Sequence, residues 1–168
     1  MILGMSVATF TLLHVIISLI GILSGIVVVL GMLGAKRLPG WTAAFLTTTV
    51  LTSVTGFLFH SAAFGPPHVF GVISLVVLAP TLFALYVRHL AGAWRWIYIV
   101  GAVLALYLNA FVGVVQAFGK IGFLHQLAPN GNELPFMIAQ LLVLGLFVAI
   151  GIAALRRFRL PAGLPAFG

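Results

Sequence analysis

Residues 11–34 read TLLHVIISLIGILSGIVVVLGMLG, twenty-four positions without a charged side chain, closed by Ala35, Lys36 and Arg37. A helix rises 1.5 Å per residue, so about 20 apolar residues cross the roughly 30 Å of bilayer hydrocarbon. The stretch therefore reads as a membrane helix. Its surroundings agree: of 168 residues 63% are hydrophobic and 5% charged, and the mean hydropathy is +1.31. A water-soluble domain covers itself with roughly 25% charged residues, which this chain lacks. Lipid must be its solvent.

Four further apolar runs meet the same length. With the first they give spans of about 11–34, 42–63, 69–90, 96–118 and 135–156. The breaks hold Lys36, Arg37, Pro39 and Gly40, then Gly65, Pro66 and Pro67, then Gly92 and Arg95, then Gly119 to Pro135. Proline and glycine continue a helix poorly, and charge seeks water. The expected fold is all-α: one polytopic membrane domain over residues 1–168, a bundle of five transmembrane helices. Met1 to Phe10 holds no Lys or Arg and lacks the basic start of a cleaved signal peptide, so the first run is expected to stay as a helix.

Five crossings put the termini on opposite sides. Lys36, Arg37, Arg88, Arg95, Arg156, Arg157 and Arg159 fall on one side and Lys120 alone on the other. Basic loops stay in the cytoplasm, so the N-terminus is expected outside and the C-terminus inside. Trp41, Trp94 and Trp96 mark the inner headgroup level. The net charge of +7 is thus a topology signal, not a nucleic-acid one. Cysteine is absent, which excludes disulfides, thiolate metal sites and iron–sulfur clusters.

Small residues form stripes at Ser18, Gly21 and Gly25, and at Gly145, Ala149 and Ala153. Such stripes let helix backbones approach within lipid, in one chain, in a homo-oligomer or against other membrane subunits. The hydroxyls of Thr47, Thr48, Thr49, Thr52, Ser53 and Thr55 can bond carbonyls one turn back.

Counting about 20 residues outward from the cytoplasmic anchors reaches His14, His60, His68 and Gln116, with His125 in the outer loop. Four of the five histidines thus share the outer boundary, and His89 sits beside Arg88 inside. Neutral imidazole suits Zn, Cu and haem iron. His14, His60, His68 and His125 are the candidate metal ligands, for an open zinc or copper site. Two of them would instead hold haem b as axial ligands. Against this, an amphipathic imidazole at a helix end often just meets water and headgroups.

Asn109 and Gln116 lie seven apart on one helix face, with Asn109 about 10 Å deeper. With His14 and His68 they form a candidate cofactor lining, for example toward a quinone head group. Interhelical hydrogen bonds are the simpler account of such amides, Gln140 included. No span contains an acid, which disfavours ion-coupled transport and carboxylate-rich metal sites. Glu133, before Pro135, suits a helix N-terminus.

HVIISLIGILSG, the LTSVTGF of the second span, LYLNAFVGVVQAFGK and LAPNGNELPF together resemble a group of small bacterial inner-membrane proteins over nearly the whole chain. The resemblance implies a multi-pass protein of the bacterial cytoplasmic membrane and carries no activity with it. The resembled proteins end the second helix in Gly-Phe-x-Phe-Pro. Here Gly56 runs to His60, so the resemblance supports His14, His68 and His125 more than His60. The expected function is a haem b or Cu/Zn protein for electron transfer or metal handling. The alternatives are an accessory subunit of a larger membrane complex and a quinone-interacting membrane enzyme. No nucleophile-plus-base set and no phosphate-cradling loop accompanies them.

Overall fold

A computed structural model describes residues 1–59 and 65–159 of the chain. Among them the elements are α1 (Val7–Leu33), α2 (Pro39–Gly56), α3 (Pro66–Leu82), α4 (Trp94–Lys120), the short α5 (Gly122–Leu127) and α6 (Leu134–Arg157). Local chemistry sets several boundaries. The Ser6 hydroxyl caps α1 by accepting from the Thr9 amide at 3.1 Å. Helices α2, α3 and α6 all start on proline in the first turn, where its missing N–H costs nothing. Helix α3 contains Pro80 and widens into a π-helical turn at Phe83–Val87, with the Arg88 amide reaching back to Phe83 O at 3.0 Å.

Helix α4 is the axis of the bundle. It packs against α1, α2, α3 and α6, and buries Tyr98, Ile99, Ala102, Ala105 and Leu106. Gly25 lets α1 sit so close that a Cβ there would meet Leu106 Cδ1 at 2.6 Å and Phe45 at 2.8 Å. The Ser18–Gly21–Gly25 stripe is therefore filled from within the chain. The second stripe is different: Gly145 faces open space and Ala149 is exposed.

One end of the bundle gathers the basic residues. Arg95 donates to Phe158 O, the Tyr98 ring lies 6.4 Å from that of Phe158, and Arg88 stacks over Trp94 at 5.5 Å. The α1–α2 connection joins them, since Tyr98 bonds Thr42 and feels Arg37. The other end holds His14, Phe59 and the N-terminus, with Phe10 and Phe59 in edge contact at 5.0 Å.

Among the described residues four helical stretches are long and apolar enough to cross a membrane: Val7–Leu33, His68–Val87, Trp94–Lys120 and Leu134–Arg157. The exception is the expected span 42–63. Its helix ends at Gly56, and seven of its eighteen residues carry hydroxyls, which lowers its apolarity. Phe57, Leu58 and Phe59 follow outside the helix, and residues 60–63, His60 among them, lie outside the described residues.

Candidate functional site at the histidine end

The arrangement around His14 starts from helix spacing. His14, Ser18, Gly21 and Gly25 recur at four, three and four residues on α1, and face Thr55, Thr52, Thr48 and Phe45 of α2. His14 Nδ1 lies 2.8 Å from Thr55 Oγ1, and Ser18 Oγ lies 3.3 Å from Thr52 Oγ1. One level deeper, Asn109 Nδ2 of α4 donates to Thr49 Oγ1 at 3.1 Å. The result is a seam of hydroxyls and one amide leading inward from His14.

The hydroxyl's second partner favours one tautomer of the imidazole. The single Thr55 hydroxyl proton goes to Leu51 O at 2.6 Å, one turn back. Thr55 Oγ1 must then accept from His14, so Nδ1 carries the proton and Nε2 keeps its lone pair. A ligating histidine uses just such a partner on its second nitrogen to hold ring and tautomer. Phe59 packs edge-on against the ring at 5.1 Å, limiting its rotation.

His68 is set differently. It is the third residue of α3, and its Nδ1 accepts from the Gly65 amide at 3.2 Å, satisfying a donor that the helix start leaves open. The neutral ring then carries its proton on Nε2, so that nitrogen offers no lone pair. Phe57 lies 5.9 Å from this ring, while a Cβ on the adjacent Gly56 would lie 3.9 Å from His14 Cε1. The Gly56–Phe57 corner of α2 thus meets both imidazoles, and a haem between them would require that corner to move.

His125 is exposed on α5 and Gln116 is exposed near the end of α4. Asn109 gives its amide to Thr49, while Gln116, seven residues on, is exposed. Among the described residues no three of His, Asp and Glu gather as a metal-binding group. His60 lies outside them.

Gln140 Nε2 donates across to Phe111 O at 3.2 Å, while its Oε1 is buried without a partner among the described residues. Glu133 caps α6, but its carboxylate turns back to the loop. Oε1 accepts from the Asn130 amide at 3.0 Å and Nδ2 at 2.8 Å, and Oε2 from the Asn132 amide at 3.1 Å. The Thr55 partner of His14 escaped sequence reading. Its signal was the matched spacing of the α1 and α2 polar faces.

Among the described residues the chain is helical throughout its regular elements, with four apolar helices of membrane length, the makeup of a membrane protein. No protein family, curated protein or solved structure matches it.

Proposed function

We propose that the chain crosses the bacterial cytoplasmic membrane five times, with its N-terminus outside, and takes a metal centre at its histidine end through His14 Nε2. The centre is a Cu or Zn ion or a haem b iron, serving metal handling or electron transfer. One observation carries the reading: the relay from His14 Nδ1–H to Thr55 Oγ1 and on to Leu51 O, which leaves Nε2 as a prepared ligand. For haem, the geometry favours His14 as a single axial ligand over a pair with His68.

Five crossings draw support from the basic end. If α2 did not cross, Lys36 and Arg37 would lie on the opposite face from Arg88 and Arg95. Instead Arg37, Tyr98, Arg95 and Phe158 meet at one end.

The test is an absorption spectrum with metal analysis on protein purified gently from its native membrane. The expected result is a Soret band or stoichiometric metal that disappears in His14→Ala. Thr55→Val, which removes the acceptor but keeps the ligand, should weaken occupancy about 10- to 100-fold. A colourless, metal-free wild type overturns the reading.

A second reading, an accessory subunit of a larger complex, is favoured by α6, whose only buried side chain is Ala154. Copurification of that metal-free chain with larger membrane subunits would establish it.

A further inference from the structure

Helices α4 and α6 leave a groove of about 290 Å³ along their seam. Val100 and Leu104 form one wall, Val148 and Ile152 the other. At its floor Gly151 allows the helices to close, a Cβ there lying 3.6 Å from Val103 Cγ1. Helical spacing carries both walls to the basic end. Four residues before Val100 stands Trp96, 55% exposed, and four beyond Ile152 stands the exposed Arg156. An apolar slot therefore opens beside an indole and a guanidinium.

Among the described residues the charge at that mouth has no acidic counterpart nearby. Arg156, Arg157 and Arg159 are exposed, Arg95 holds a carbonyl and Arg88 covers a ring. The one acid, Glu133, lies at the far end of α6. Clustered arginines at a helix end recruit anionic lipid headgroups. From Leu144 to Leu155 the groove runs about 16 Å, slightly more than half the roughly 30 Å hydrocarbon thickness, and Arg156 is the next residue beyond it. That length is the depth of one leaflet's acyl chain. The volume falls just below the roughly 300–1,000 Å³ of compact small-molecule pockets, and spread over that length it is a slender slot that suits one extended acyl chain.

We propose that this groove binds one anionic phospholipid. Its phosphate sits at Arg156 with Arg157 and Arg159 alongside, Trp96 marks the headgroup level, and one acyl chain lies between Leu104 and Ile152 toward Tyr107. The inference is independent of the histidine end, because either membrane surface would supply the lipid.

The test uses the full chain reconstituted in bilayers of equal parts phosphatidylglycerol and phosphatidylcholine, then released into native mass spectrometry. Wild type should retain one phosphatidylglycerol and no phosphatidylcholine. The double variant R156Q/R157Q should lower that retention roughly 10- to 30-fold. Val148→Trp fills the slot from an exposed wall position without altering charge, and should also lose the lipid. Leu142→Trp, 69% exposed and outside the groove, should keep it and reports that a tryptophan on α6 leaves the fold intact. Equal retention of both lipids overturns the proposal, as does unchanged retention in either the arginine or the Val148 variant. A second copy of the chain held in place of lipid, and lost with Val148→Trp, also overturns it.

Discussion

Ala35 adopts φ +54° immediately after the last turn of α1. The Lys36 amide reaches Gly31 O at 2.8 Å and the Ala35 amide reaches Met32 O at 3.1 Å, the paired bonds of a Schellman ending. Glycine is the usual residue at this left-handed position, since a Cβ costs about 1–2 kcal/mol there. Glycine also gains freedom in the unfolded chain, which offsets about 0.4–1 kcal/mol. Ala35→Gly is therefore expected to stabilise the protein by about 0.5–1 kcal/mol, read as a raised unfolding midpoint in detergent. Glu133 gives a second prediction at this scale. Desolvation pushes its carboxyl up, but the Asn130 amide and side chain and the Asn132 amide outweigh it and hold the group below its ordinary range. A lowered folded-state value favours the ionised form. The stability it brings is present above the ordinary glutamate value of about pH 4.3 and is lost as pH falls through the lowered one. The unfolding midpoint of wild type should fall across that acid window, whereas Glu133→Gln should start lower and change less. Parallel curves would remove the carboxylate from any role in the loop.

Among the elements, α4 owes its central place to small residues as much as to apolar ones. Gly101 faces the fully buried Thr81, whose hydroxyl is committed to Val77 O at 2.7 Å and occupies the place a Cβ would take. Gly101→Ala must push α3 from α4 and should cost about 1–3 kcal/mol. Gly145→Ala, into open space, should stay within about 0.5 kcal/mol. Thermal unfolding of the two variants decides: equal effects would mean that α3 and α4 are not held at this approach. Much of the element plan was legible, because uninterrupted apolar runs and Gly-Pro breaks leave few alternatives. The α2 boundary was not. Its threonines satisfy their hydroxyls on the preceding turn, as Thr48 does on Ala44 O at 2.7 Å, and nothing in the local pattern foretells the helix ending at Gly56. The π-helical turn after Pro80 also has no signature beyond the proline itself. At the site, levelling the histidines by counting residues gave their depth but not their neighbours. Depth follows from rise per residue, whereas the pairing of His14 with Thr55 depends on how α1 rotates against α2.

For the whole molecule, the decisive quantity is which groups share an end. Seven cations lie on the side of Arg95 and Phe158, and Lys120 alone is near the other. Transferring even one of these clusters across the bilayer centre is costly on every scale, about 2.5–3.5 kcal/mol per residue by insertion measurements. In the proposed five-span arrangement the basic end acts as a unit in setting orientation, with α2 crossing to bring Lys36 and Arg37 to the face of Arg88 and Arg95. The cysteine-free sequence makes this directly measurable, since any introduced thiol is the only one. In intact cells, Lys36→Cys, Ala91→Cys and Arg159→Cys should resist a membrane-impermeant maleimide until the membrane is opened, while Asn130→Cys in the loop before α6 should react at once. Were α2 not to cross, Lys36→Cys and Ala91→Cys would differ, because the α1–α2 and α3–α4 connections would then face opposite sides. Equal protection of the three with reactivity at Asn130 fits only five crossings with the basic end inside. Reactivity of the three with protection at Asn130 would keep five crossings but invert the protein, placing the histidine end and the metal centre proposed there on the cytoplasmic side.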